Sequence, residues 1–446
     1  MAIKVGMVSL GCPKNQMDAE LMLATLSQAG YEITADSGYA DVVIINTCGF
    51  IADAKAESIE NILEFAQLKK EKQIKKIIVT GCLAQRYQQE LADEIPECDA
   101  VVGLGANVDI ADVVARVMVG ETVRAFPTRD AWCLDGSRVL TTPYFYAYLR
   151  IADGCDNRCA YCAIPNIRGN LRSRSMENIL AEAQALVETG VKELVLVAQD
   201  TTVYGRDLYG ESRLPQLLTE LCKIEDLKWI RLLYCYPEHI TDELLSVMAR
   251  EEKVLPYMDI PLQHAAGHVL KRMNRPGNRE SLTALIGRIR AAVPDITLRT
   301  TVMVGFPGET EEDFEELCQF IQDARFQRLG CFAFSPEEDT PAYAMDGQVE
   351  DEVKFRRRDI VMEEQARISD AYNAAMVGKT VTVLVESFDR YAECWFGRTE
   401  GDAPDIDGKV FFSASRPVQP GDLVEVEIND TMDWDLIGEM KDELTE

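Results

Sequence analysis

The 446-residue sequence reads as a multidomain α/β chain. It has an N-terminal parallel α/β sheet domain, a central partial (β/α) barrel and a small antiparallel β-barrel at its C-terminal end. Three observations lead there. Short apolar runs alternate with helical periodicities over the first 125 residues. After a Pro- and Gly-bearing stretch the same alternation resumes for six more repeats. Beyond Met376 it gives way to short β-prone runs punctuated by Gly and Pro.

In the first region, 1–125, the run Lys4–Leu10 ends in Gly11-Cys12. A helical stretch, Asp18–Ala29, follows, with Gly30 as its stop signal. Asp41–Asn46 ends at Thr47-Cys48, Ala54–Lys70 is helical, and Lys76–Thr80 ends at Gly81-Cys82. Strand–helix–strand alternation implies parallel strands with right-handed crossovers. Residues 126–143 lack periodicity, carry Pro127, Gly136 and Pro143, and read as a linker. In 144–375 the strands are Tyr146–Ile151, Glu193–Ala198, Trp229–Leu233, Tyr257–Pro261, Thr297–Val304 and Cys331–Phe334, with amphipathic helices such as Met176–Thr189 and Glu311–Ala324 between them. In 376–446 the strands are Thr380–Glu386, Cys394–Arg398, Lys409–Ser413 and Leu423–Ile428, the pattern of a small barrel.

Hydrophobic residues make up 47% and charged residues 27%, ordinary for a globular chain. No window approaches the roughly 18 apolar residues that span a bilayer, and the N-terminus lacks a signal-peptide pattern. A cytoplasmic protein without membrane association is expected. The 46 Lys and Arg stand against 75 Asp and Glu, giving −29. That balance opposes nucleic-acid phosphate and favours basic partners. Thirteen cysteines and three histidines make metal ligation by thiols more natural than disulfides or mixed Cys/His zinc.

The sharpest local signal is Cys155-Asp-Asn-Arg-Cys159-Ala-Tyr161-Cys162, just after a strand. Three thiolates in one tight loop can hold three irons of a cubane and leave the fourth open to a small molecule. Zinc would want a fourth Cys or His close by, and His239 is far along the chain. Cys12, Cys48 and Cys82 form a second set. They lie 36 and 34 residues apart, each after a parallel strand, so one sheet edge brings them together. The other seven cysteines repeat neither pattern and read as packing residues.

The spacing around Cys155–Cys162 resembles the radical S-adenosylmethionine (SAM) superfamily, whose fold is a partial (β/α) barrel and whose open iron chelates SAM. Glu193–Gln199 and Thr301-Val-Met-Val-Gly305-Phe-Pro-Gly308-Glu309-Thr310 resemble that family's segments that contact the amino group and the adenosyl moiety of SAM. The resemblance implies cofactor contacts at Tyr161, Gln199, Gly305, Gly308 and Glu309. His264, at a barrel strand end, joins them as a candidate hydrogen-bonding group. Both triplets together, with Gly11-Cys12-Pro-Lys-Asn15, Asn46-Thr47-Cys48-Gly-Phe50, Gly81-Cys82-Leu-Ala-Gln85-Arg86-Tyr87 and a C-terminal β domain of the TRAM kind, resemble the methylthiotransferase family along nearly the whole chain. Membership implies two [4Fe–4S] clusters, held by Cys12, Cys48 and Cys82 and by Cys155, Cys159 and Cys162, together with SAM and an electron donor such as flavodoxin or ferredoxin. No catalytic side chain beyond the cluster ligands is assigned.

One branch of that family modifies an adenosine in tRNA, the other an aspartate β-carbon in a small-subunit ribosomal protein. Val197-Ala-Gln199-Asp200-Thr201-Thr202 resembles the ribosomal-protein branch. The last 71 residues carry six Lys and Arg against seventeen Asp and Glu, a charge of −11 suited to a basic ribosomal protein and ill suited to RNA. The turn-rich segment Gly401–Gly408 is expected to be an exposed loop whose Asp402, Asp405 and Asp407 dock that substrate. A non-catalytic iron–sulfur scaffold is the reading from another class, and the glycine segment and barrel pattern argue against it.

Overall fold

The computed structural model describes residues 2–128 and 132–441. The last five residues of the acidic tail lie outside them, and so do Arg129, Asp130 and Ala131 of the expected linker. The described chain divides into two compact units.

The first unit comprises residues 1–141, 152–174 and 335–343. Its sheet contains β1 (Lys4–Ser9), β2 (Glu32–Thr34), β3 (Val42–Thr47), β4 (Lys76–Gly81), β5 (Ala100–Val102) and β6 (Val123–Ala125) in the order β2-β1-β3-β4-β5-β6, all parallel. The three-residue strands β2, β5 and β6 are too short to show a period, and sequence reading passed over them. In β3 the side chains alternate between two cores. Val42 and Ile44 pack with Met22, Leu26 and Val114 of helices α1 (Pro13–Gln28) and α4 (Ile110–Met118). Val43 and Ile45 pack with Ile62, Phe65 and Leu83 of α2 (Ala52–Lys70) and α3 (Cys82–Glu94). A strand covered on both faces must be apolar throughout, which is why it reads as an unbroken Val/Ile run. The expected linker is folded onto this unit: Trp132 is buried, and Thr141 bonds Glu20 through both its N–H and its hydroxyl at 2.8 Å.

The second unit contains the central sheet and the C-terminal barrel. Strands Tyr146–Arg150, Glu193–Val197, Trp229–Leu232, Val254–Gln263, Thr297–Val304 and Arg328–Ala333 pair side by side in sequence order, every pair parallel. Winding always in one direction is what distinguishes a (β/α) barrel segment from the doubly wound first sheet. Two of its helices begin at capping boxes. Thr310 and Asp313 form a reciprocal capping box ahead of Glu311–Ala324, and Asn278 and Ser281 form another ahead of Arg279–Ala292.

The C-terminal strands Thr380–Asp389, Cys394–Arg398, Val410–Ser413, Leu423–Met432 and Asp435–Met440 close into a barrel around Val383, Val385, Phe412, Val426 and Ile428. Four of its pairings are antiparallel, as expected. The fifth, between Val410–Ser413 and Asp435–Met440, is parallel and closes the barrel. Asp435–Met440 follows a two-residue turn at Asp433-Trp434 that carries no Gly, so the usual hairpin signal is missing. Among the described residues no helix is long and apolar enough to cross a membrane.

Candidate cluster-binding site

Strand order in the first sheet reverses between β1 and β3, and ligands of open α/β sheets collect at the carboxyl edge of such a reversal. Cys12 and Cys48 follow those two strands, and Cys82 follows the next one. Cys12 is the N-cap of α1, with Pro13 behind it fixing the first helical turn. Its carbonyl takes the first bonds, from Asn15 and Gln16 N–H at 2.9 and 3.1 Å. Cys48 is held by Ser58 of α2, whose hydroxyl accepts from the Cys48 N–H at 3.0 Å and donates to its carbonyl at 2.8 Å.

Gly81 turns the chain into α3 at φ +96°, and a Cβ there would lie 2.4 Å from the Thr47 carbonyl oxygen. Only glycine lets β4 deliver Cys82 this close to β3. Asn15 binds the strand ends to one another. Its amide donates to the carbonyls of Leu10, Asn46 and Thr47 at 2.7, 3.1 and 3.3 Å, and Asn46 donates back to the Asn15 carbonyl at 2.6 Å.

These supports bring the three thiols together. A Cβ on Gly11 would stand 2.9 Å from the Cys48 sulfur. Burial, opposed by the Arg168 cation and reinforced by Cys12 and Cys48, pushes the Cys82 thiol up to about 12. Burial likewise raises Cys48, with Cys12 adding to it and Arg168 opposing. Arg168 is itself buried. Its Nη2 donates to Asp18 Oδ2 at 2.9 Å and to Cys82 Sγ at 3.4 Å, its Nη1 donates to Asp153 Oδ1 at 3.2 Å, and its guanidinium lies 4.9 Å from the Trp132 ring centre.

The loop Cys155–Cys162 belongs to the same unit. The Cys155 N–H donates to the Gly169 carbonyl at 3.1 Å, and Gly154, at φ +78°, has the Asn170 carbonyl oxygen 2.0 Å from where a Cβ would sit. Cys159 is buried, while Cys155, Tyr161 and Cys162 are half-buried. Helix α5 (Ile164–Ile167) follows directly, and its Ile167, with Ala163, packs in one apolar cluster with Cys82, Leu104 and Trp132. The two triplets are thus parts of one structure. Among the described residues no three His, Cys, Asp or Glu side chains close on a single metal ion. A cubane makes a different demand, because each thiolate binds its own iron. Six thiols, each backed by a hydrogen-bonded turn or buried neighbour, fit two such groups of three.

Segment Ser335–Tyr343, which sequence reading left unassigned, folds against both parts. The buried Glu337 pairs with Lys55 at 2.7 Å and Arg86 at 3.0 Å, the Ala342 N–H donates to the Ala160 carbonyl at 2.9 Å, and Asn166 donates to the Asp339 carbonyl at 3.0 Å. Sequence reading also missed Asp18, Asp153 and Arg168, which have no motif spacing; an isolated Arg before Gly169 carries no signal of its own.

The remaining predicted residues lie in the second unit. Gln199 is half-buried at the end of strand Glu193–Val197. Beside it Asp200 accepts from the Thr202 N–H at 3.0 Å and faces His239 Nδ1 at 3.2 Å. Gly305, Gly308, Glu309 and His264 form a single knot. Glu309 Oε2 accepts from the Gly305 N–H at 2.8 Å, and its Oε1 accepts from Arg357 at 2.7 Å. His264 Nδ1 accepts from the Ala266 N–H at 3.0 Å, which leaves the proton on Nε2, 3.5 Å from Glu309 Oε2. A Cβ on Gly305 would strike Lys354 Cγ at 2.2 Å, and one on Gly308 would meet Arg272 Nε at 2.8 Å. The close approach these glycines permit is therefore to the chain's own side chains, and the Glu309 carboxylate is already engaged by backbone and arginine.

The expected docking loop needs a correction. Asp402 is buried and pairs with Arg328 at 2.6 Å, and Asp407 accepts from Tyr257 Oη at 2.6 Å and lies 3.5 Å from Arg299. Both fasten the C-terminal barrel to the central sheet. Asp405 alone of the three is exposed. Turn-rich sequence announces a loop but not which way its carboxylates face. Of the seven remaining cysteines only Cys133 is exposed.

Family models match three stretches: residues 4–103 to Uncharacterized protein family UPF0004, 149–321 to the Radical SAM superfamily and 377–440 to the TRAM domain. A protein of Thermoanaerobacter sp. (strain X514) named ribosomal protein uS12 methylthiotransferase RimO is 50% identical over 436 residues, covering 98% of this chain and 99% of that one. Its namesake from Pelotomaculum thermopropionicum is 51% identical over 444 residues, covering 98% and 99%. Among solved structures, the radical SAM methyltransferase TsrM of Kitasatospora setae shares the fold, with a TM-score of 0.57 at 14% identity over 77% of each chain. End-to-end identity of this order, in a chain that gathers two cysteine triplets into one unit, shows that it belongs to the uS12 methylthiotransferase family of radical SAM enzymes, which carry two [4Fe–4S] clusters.

Proposed function

We propose that this chain methylthiolates the β-carbon of an aspartate in ribosomal protein uS12. The observation that carries the reading is the assembly of Cys12, Cys48 and Cys82 from three strand ends in the same unit as Cys155, Cys159 and Cys162. An electron carrier needs no second open site of this kind. The near 50% identity to proteins named for this reaction supports it.

An aliphatic C–H bond is beyond the reach of acid–base groups at ordinary pKa values. When bound, the two clusters and SAM supply the electron, the methyl group and the radical that such a bond requires. The chain's residues hold and shield them. Cys155, Cys159 and Cys162 would hold the cluster whose open iron takes SAM, with Tyr161 of the same loop as a candidate for contact with it. Cys12, Cys48 and Cys82 hold the other. Leu104, Trp132, Ala163 and Ile167 keep water from Cys82. A small one-electron carrier of the flavodoxin or ferredoxin kind supplies the electron.

For the substrate, the acidic C-terminal barrel offers exposed carboxylates beside exposed aromatic surface. The exposed Phe388 pairs with the half-buried Trp395 across two strands with ring centres 5.3 Å apart, and the exposed Tyr391 and Glu393 lie in the turn between those strands. Such a surface suits Lys/Arg-rich protein and repels RNA backbone. A ribosomal-protein substrate makes the cytoplasm the place of work.

The test is anaerobic reconstitution followed by reaction with purified uS12 and with unmodified tRNA side by side. Mass spectrometry should find one methylthio group in place of a hydrogen on an aspartate of uS12. Methylthiolated tRNA with unmodified uS12 would overturn the assignment.

A further inference from the structure

We propose that Arg168 is a positioning residue for the N-terminal cluster. It holds the Cys82 sulfur through a charge-assisted hydrogen bond and raises that cluster's reduction potential. The inference rests on the two-cluster reading above.

Arg168 bonds to three segments that carry or flank the two triplets. It contacts Cys82 itself at 3.4 Å and Asn15 Oδ1 at 3.5 Å, and it pairs with Asp18 of α1, the helix capped by Cys12. Its other nitrogen pairs with Asp153, two residues before Cys155. No lysine could do this, because a single ammonium lacks the planar fork that lets one guanidinium serve partners on three segments. The group is sealed from solvent and covered by Trp132. There the field of a fixed cation is poorly screened.

Hydrogen bonds to cluster sulfurs and the net charge around a cluster are two of the levers that set its potential. Arg168 operates both at one sulfur, and Asp18 and Asp153, which pair with it, oppose its charge. An arginine present only to neutralise two buried acids would not need to face the thiol.

The two roles differ in sign. Arg168→Gln and, less strongly, Arg168→Lys should make the N-terminal cluster harder to reduce. Asp153→Asn removes a negative charge and leaves the cation, and should make it easier. For Arg168→Gln the reduced-to-oxidised ratio at a fixed applied potential should fall about tenfold, a midpoint shift of ~59 mV for one electron.

The measurement is a potentiometric titration followed by electron paramagnetic resonance on the reconstituted full chain. Repeating it in the full chain carrying Cys155→Ala, Cys159→Ala and Cys162→Ala assigns the step to the N-terminal cluster. If that triple variant binds no iron, the two-cluster reading fails. If iron is retained, and Arg168→Lys and Asp153→Asn shift the midpoint in the same direction or not at all, the inference about Arg168 fails. Should Arg168→Gln not fold, the other two variants still decide the matter through their opposite signs.

Discussion

The two cysteine triplets proposed to hold the clusters are assembled by opposite routes. Cys155, Cys159 and Cys162 lie within eight residues, and their spacing alone defines the site. Cys12, Cys48 and Cys82 are spread over 71 residues and meet only because three parallel strands end on one edge. The first site is written in the chain, and the second is a property of the fold. The second therefore needs support drawn from several segments: Gly81 to let two strand ends touch, Asn15 and Asn46 to bind them, and Arg168 to face the last thiol.

The largest test of this contrast is removal of each triplet. The reconstituted chain should hold about eight irons, four for each cluster. Changing Cys155, Cys159 and Cys162 to Ala should leave about half, and so should changing Cys12, Cys48 and Cys82. Reductive cleavage of SAM should vanish in the first variant and persist in the second. A second variant that keeps all its iron would show that the strand-end set is a group of packing cysteines.

Glycine substitutions sharpen the comparison. Gly81→Ala places a Cβ 2.4 Å from the Thr47 carbonyl at φ +96°, and Gly154→Ala places one 2.0 Å from the Asn170 carbonyl at φ +78°. Each should cost roughly 3 kcal/mol or more. Iron analysis and thermal unfolding should show that Gly81→Ala empties the N-terminal site while the loop keeps its cluster. Gly154→Ala should do the reverse. Equal loss from both sites in both variants would mean that the two triplets fold as one cooperative site.

The same division between local and assembled features governed what could be read from sequence. The Cys155–Cys162 motif, the longer parallel strands and four of the five barrel strands were legible because apolar periodicity and ligand spacing are local. The strand-end triplet was legible only because cysteine recurs at equivalent places in three strand–helix units. Arg168, Asp153 and Glu337 were not legible: buried ion pairs join residues distant in sequence, and a single charged residue has no period. The second sheet's Glu193 is another such case. Burial alone would raise its carboxyl, but Arg398 and Arg231, at 2.7 Å each, outweigh it and hold the group below the usual glutamate range.

That depressed value makes the attachment of barrel to sheet acid-sensitive. A carboxylate whose folded value lies below its unfolded one contributes fully above the unfolded value, near ~4.3. Its contribution falls away as pH drops through the folded value. Glu193→Gln should destabilise the second unit at pH 7, and the gap from the unaltered chain should narrow as pH falls below the ordinary glutamate range. Urea unfolding at a series of pH values measures it. A gap independent of pH would mean that Glu193 is not ionised in the folded chain.

The smallest effect belongs to Asp405 in the loop Gly401–Gly408, where local signal misled. Asp402, Asp405 and Asp407 share one turn-rich segment and look equivalent in sequence, yet they face different surroundings. Asp402→Ala leaves the buried Arg328 guanidinium without its carboxylate and should cost roughly 3 kcal/mol or more. Asp407→Ala removes the acceptor of Tyr257 and should also lower the unfolding midpoint. Asp405 is exposed and sits at φ +66°, a conformation that Asn tolerates, so Asp405→Asn should change stability by no more than about 0.5 kcal/mol. Any loss it causes must then come from weaker attraction of a basic partner. That loss should fade as salt is raised toward and beyond ~0.15 M, where the screening length is about 8 Å. Modification of uS12 at low and high salt, compared between Asp405→Asn and the unaltered chain, reads this directly. A salt-independent defect would remove Asp405 from the docking surface and leave the whole loop as a fastening of the barrel.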